Sequence, residues 1–150
     1  TDLFRDLHPG RDGDCLMPHL VILYTPQIET ETDMKQLCRR LADAMSSVKD
    51  EAGKQVFPIA GIRVFAYPAM HFAVADGSGD HAFVYFNLRM ARGRSDTAKR
   101  NAGESVTAAA REHFAPLLAR RGLGLTLQVD EGEEVFDAKF GNLHSLFNKT

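Results

Sequence analysis

The feature that most constrains this 150-residue chain is the order of its periodicities, which run strand, helix, strand and then repeat the series. Pro18-His19-Leu20-Val21-Ile22-Leu23-Tyr24 is a short apolar, β-branched run that stops at Thr25-Pro26, where a ladder donor is lost. It predicts a buried strand. From Thr32 onward Met34, Leu37, Leu41, Met45 and Val48 recur at helical spacing, with Lys35, Arg39, Arg40, Asp43 and Lys49 between them and Gly53 closing the run. Ile62 to Tyr67 predicts a second strand, ended by Pro68, and Ala82 to Arg89 a third, after the turn cluster Asp76-Gly77-Ser78-Gly79-Asp80. Ser95 is a good N-cap, with Asp96 placed where the helix dipole favours an anion. The second helix should be about as long as the first. Its stripe is Ala98, Ala102, Val106, Ala110, Phe114 and Leu117; Pro116 should kink its last turns and Gly122 should end it. Leu123 to Val129 predicts a fourth strand, and the patchily apolar tail from Phe136 to Phe147 reads as a short strand and a helical turn.

Each helix is long enough to cross back over a sheet, so the order implies two βαβ units in a two-layer α/β sandwich. No residue-level repeat joins the halves. If both helices lie on one side, the other sheet face is bare and needs a partner, which predicts an oligomer.

Composition narrows the function. A hydrophobic fraction of 44% builds a core, and a formal net charge of -2 with both signs scattered excludes the footprint of a nucleic-acid binder. No apolar run approaches the roughly 18 residues of a spanning helix, so no membrane is expected. Two cysteines, Cys15 and Cys38, make neither a disulfide framework nor a zinc knuckle, and a reducing cytoplasm fits best. Residues 1–16 hold four Asp against two Arg with little apolar periodicity, so they read as a flexible extension, either an artefact or the product of an upstream start. Residues 17–150 are then a single domain.

Most chemistry drops out on inspection. His8, His19, His71, His81, His113 and His144 show no ligand spacing, so no metal is expected. Gly122-Leu123-Gly124 follows a helix and opens a strand, the reverse of a dinucleotide fingerprint. There is no phosphate loop with Lys and Ser/Thr, and no nucleophile elbow. Pro18 remains. Translation beginning at Met17 would lose the Met and leave Pro18 with a free secondary amine. An α-amino group titrates near about 8, and an apolar pocket or nearby arginines lower it toward neutrality, where it is a good general base.

Several motifs now fall into one order: Met17-Pro18-His19, Phe57-Pro58-Ile59-Ala60-Gly61-Ile62-Arg63, Ala75-Asp76-Gly77 with Asp80 and Ala82-Phe83-Val84, Gly93-Arg94-Ser95, and Asn142-Leu143-His144-Ser145-Leu146-Phe147. Together they resemble the 5-carboxymethyl-2-hydroxymuconate Δ-isomerase family of the tautomerase superfamily, over residues 17 to 150. The resemblance implies an α+β, tautomerase-like (βαβ)2 fold, with a four-stranded mixed sheet, two helices on one face and a homotrimer. It implies no cofactor, Pro18 as catalytic base, and Arg63 and Arg94 as substrate-binding residues. The implied substrate is a dienol tricarboxylate of homoprotocatechuate breakdown, isomerised to 5-oxopent-3-ene-1,2,5-tricarboxylate. Guanidinium forks suit that role, because each binds a carboxylate in bidentate fashion and stays charged. An Arg can also stabilise charge building on the 2-oxygen.

Each of these residues also has an ordinary structural role. Pro18 is acceptable at any strand start, Arg63 can face solvent, and Arg94 can be a surface cation ahead of a helix. The chain departs from the family pattern in two places. With residues 1–17 attached, the Pro18 nitrogen is an amide and cannot take a proton, so the chain as written is expected to be silent until Pro18 is freed. Arg92, beside Arg94, is an extra cation that would suit another polyanion. The rival readings are a tautomerase of another 2-hydroxydienoate and a catalytically silent trimeric binding protein.

Overall fold

A computed structural model of the chain describes residues 18–133 and 135–147. The proposed extension, with His8 and Cys15, lies outside the described residues. The strands are β1 (His19–Tyr24), β2 (Arg63–Pro68), β3 (Ala82–Ala91) and β4 (Leu123–Gly132), and the helices α1 (Met34–Ser46), α2 (Asp96–Leu118) and α3 (Leu143–Phe147). They form one four-stranded sheet in the order β2-β1-β3-β4. β1 runs parallel to β2 and β3 parallel to β4, while β1 and β3 meet antiparallel at the centre. The architecture is therefore two βαβ units joined through their first strands, as the order of periodicities predicts.

Alternation along the strands sends Leu20, Ile22, Tyr24, Val84, Phe86, Leu88 and Met90 to one face. There they meet Leu37, Leu41 and Met45 of α1 and the predicted α2 stripe in a single core, so both helices cover the same face. Phe86 and Phe114 meet edge to face, 6.4 Å between centroids. The opposite face carries Leu23, Phe65 and Tyr67, all exposed.

The element ends differ from the sequence reading in ways that have physical causes. α1 stops at Ser46, well short of Gly53, because the hydroxyls of Ser46 and Ser47 donate to the carbonyls of Asp43 and Ala44, giving the chain a way out of the helix. Val48 is still buried, so the helical spacing persists past the helix. α2 is 23 residues long against 13 for α1, so the two are unequal. It ends at Leu118, before Gly122; Pro116 lies in its last turn, and the amides of Ala119 and Arg121 close onto the carbonyls of Ala115 and Leu117. Two 3-10 turns, Pro26–Thr30 and Ile59–Gly61, were not predicted. The tail supplies the helical turn, α3, but no strand among the described residues.

His113 is the one titratable side chain of α2 in the buried layer, 7% exposed, with its Nε2 2.9 Å from Thr32 Oγ1. Burial lowers its pKa; Arg40 adds to the effect and Asp33 opposes it. The folded state thus prefers the neutral ring. Its contribution is present in full above the unfolded value of about 6.5 and is lost as pH falls through the folded one. Urea midpoints measured from about pH 7.5 down to about pH 5 should fall, and fall less in His113→Gln.

Candidate active site

The sheet topology gathers the three residues singled out by sequence at one end of the molecule. Pro18 directly precedes β1, whose first residue His19 pairs with Arg63, the first residue of β2. β3 runs the other way and finishes at Ala91 beside the start of β1, so the loop carrying Arg94 leaves the sheet at the same end. Gly93 makes that exit with φ 110°, a conformation that side chains resist; nothing crowds it, so backbone freedom is what glycine supplies there. Ser95 then caps α2, accepting from the Ala98 amide at 3.1 Å and donating to Glu51 at 2.7 Å.

Arg94 is held firmly. Its Cζ lies 4.7 Å from the ring centroid of Phe57, which is fully buried, and its Nη1 donates to the Val56 carbonyl. Burial pulls its pKa below the ordinary value. It faces a cleft of about 600 Å³ shared with Lys54, Pro58 and Gly93. Arg63 is different. It is half-buried on the bare sheet face, in line with Phe65 and Tyr67, and its Nη1 lies 3.3 Å from the Gly61 carbonyl. The two arginines thus share an end of the sheet but lie on different sides of it, Arg94 among the helix-side residues and Arg63 on the open face. The segment from Val56 to Arg63 links them, through the 3-10 turn on which α3 packs.

Sequence reasoning gave Phe57 no role, although it lies in one of the quoted motifs. Its signal is an aromatic residue ahead of Pro58, and only the fold shows that Arg94, 37 positions on, lies across it. Arg92 turns out to be separate from Arg94. It is exposed, pairs with Glu133 at 3.6 Å and lines another cleft, between α2 and β4. His19 has its pKa lowered, first by burial and then by Arg63, Lys139 and Arg89. Cys38 is half-buried, and burial raises its thiol pKa, which disfavours the thiolate. Among the described residues no group of three or more His, Cys, Asp or Glu is arranged to hold a metal ion, and no helix is long and apolar enough to cross a membrane.

A two-layer (βαβ)2 sandwich with a strand-opening proline and two arginines at one end of its sheet is a tautomerase-like architecture. The sequence model of the 5-carboxymethyl-2-hydroxymuconate isomerase family matches residues 18–147, and the chain belongs to that family. It is 30% identical to the 5-carboxymethyl-2-hydroxymuconate Delta-isomerase of Escherichia coli over 131 residues, 87% of this chain and 99% of that protein. A crystal structure of a 5-carboxymethyl-2-hydroxymuconate delta-isomerase superposes with TM-score 0.86 at 55% identity, covering 91% of this chain and 96% of the other. A 5-carboxymethyl-2-hydroxymuconate isomerase from Deinococcus radiodurans R1 gives TM-score 0.78 at 33% identity, covering 90% and 97%.

Proposed function

We propose that the protein isomerises 5-carboxymethyl-2-hydroxymuconate to its 2-oxo isomer, 5-oxopent-3-ene-1,2,5-tricarboxylate, in homoprotocatechuate breakdown, with the amine of Pro18 as base. The observation that carries this is the family match, which begins at Pro18 itself. In the reaction the Pro18 nitrogen takes the proton of the 2-hydroxyl group, electrons shift along the diene, and the same nitrogen returns a proton to C5. The amine ends as it began, and no redox partner is needed. Arg63 and Arg94 bind carboxylates, and one of them stabilises negative charge growing on the 2-oxygen. The active form is a homotrimer in the cytoplasm: Leu23, Phe65 and Tyr67 on the bare face give a reason for copies to associate, and Cys38 is a free thiol.

Residues 18–150 make the natural test protein. The Escherichia coli relative is matched over 99% of its own length and the family model matches residues 18–147, which supports taking residues 18–150 as the folding unit. A chain whose terminus is Pro18 should turn over the dienol in an absorbance assay. Absence of turnover would favour the silent binding protein. Arg94→Ala should raise KM by about 10- to 100-fold and change kcat less, because a charge-assisted bidentate contact is lost while the base stays in place. An unchanged KM would remove Arg94 from the site.

A further inference from the structure

The proposed substrate has three carboxylates, two from the muconate chain and one on the carboxymethyl branch, whereas Arg63 and Arg94 account for two. A third guanidinium stands at the same end of the sheet. Arg89 of β3 and Arg63 of β2 flank His19 of β1 in register, all three at positions of the bare face. The two arginines stand two strands apart, with the His19 position between them. Among the described residues no carboxylate pairs with Arg89 or Arg63. Asp130, directly across from Arg89 on β4, instead accepts from Asn87 Nδ2 at 2.7 Å. Lys139 is engaged by Asp137. His19 is held toward its neutral form, so it adds no charge of its own.

Gly132 explains where the Arg89 side chain goes. It is two residues beyond Asp130 on β4, on the same face, and a Cβ there would lie 2.6 Å from Arg89 Cζ. Its φ lies outside the left-handed region, so the glycine supplies space and not backbone freedom. Arg89 therefore leans along the sheet toward the end where β3 and β4 finish and β1 and β2 begin. That is the end at which Pro18 stands.

We propose that Arg89, in the seat left open by Gly132, is a specificity-determining residue that receives the carboxylate of the substrate's carboxymethyl branch. The proposal rests on the isomerase reading above and goes beyond it by giving the third carboxylate a partner. Two guanidinium groups without a carboxylate partner among the described residues, and an open seat at the last residue of β4, suit the capture of an anionic group at this end of the sheet.

The test compares two dienols on the protein that begins at Pro18: the tricarboxylate, and the 2-hydroxymuconate dicarboxylate that lacks the branch. Arg89→Gln should lower the ratio of their kcat/KM values, tricarboxylate over dicarboxylate, by about tenfold, mainly through KM. Gly132→Ala should shift the ratio the same way by displacing the guanidinium, and Arg89→Lys should retain part of it. A ratio unchanged in both Arg89→Gln and Gly132→Ala overturns the assignment. If the parent protein turns over neither dienol, the isomerase reading fails, and calorimetric binding of the tricarboxylate decides Arg89 separately. Binding weakened about tenfold by Arg89→Gln then upholds it, and equal binding overturns it.

Discussion

Pro18→Ala, made in a chain that begins at residue 18, should lower kcat for the dienol by about 10²- to 10⁴-fold, the usual worth of a positioned general base. Alanine keeps an α-amino terminus but replaces a secondary amine held by its ring with a flexible primary one. The measurement is a full kinetic profile, because loss of the base lowers kcat while carboxylate contacts hold KM near its starting value. Turnover equal to the parent would end the proline-base mechanism. The full 150-residue chain provides the companion result. There the Pro18 nitrogen is an amide, so activity should fall to background while the fold is retained, and removing residues 1–17 should restore it. The intact mass of the protein made from its own gene in its own host states which form exists. A mass beginning at Pro18 frees the amine; one beginning at Thr1 makes binding without turnover the better account.

Phe57→Ala should cost about 3–5 kcal/mol of stability, because the ring is completely buried in the core and its truncation removes that packing. Phe57 also carries the Arg94 guanidinium at 4.7 Å, so its loss should act on substrate binding as well. Phe57→Leu separates the two effects. It fills most of the volume, so stability should drop by less than about 2 kcal/mol, yet it removes the aromatic face and should raise KM in the direction of Arg94→Ala. Urea denaturation and steady-state kinetics on the same three variants check this. A Phe57→Leu protein with parental KM would show that the stack contributes only to packing.

The fold was legible in the sequence where periodicity was long and uninterrupted. All six residues of the predicted α2 stripe are buried, and the four strands fall within a few residues of expectation. The reading failed where hydrogen bonds between side chain and backbone decide the outcome. Nothing in apolar spacing tells that Ser46 and Ser47 end α1 while Val48 goes on being buried. Candidate residues were legible by type, through the motifs around Pro18, Arg63 and Arg94. Their setting was not. Arg92 and Arg94 look like a pair in sequence, but their side chains line different clefts, and Arg89 draws no notice until the register sets Gly132 diagonally across from it.

The antiparallel meeting of β1 and β3 has a consequence for how many reactive ends such a chain can offer. The halves are arranged alike, so the start of β3 at Ala82 is the counterpart of the start of β1, and it lies at the far end of the sheet. There the chain arrives from His81 through an ordinary peptide bond, and its nitrogen can never be an amine. In a chain that begins at Pro18, two βαβ units joined into one polypeptide would therefore offer one titratable terminus for two geometrically similar corners. The longer helix, α2, belongs to the half that opens at Ala82.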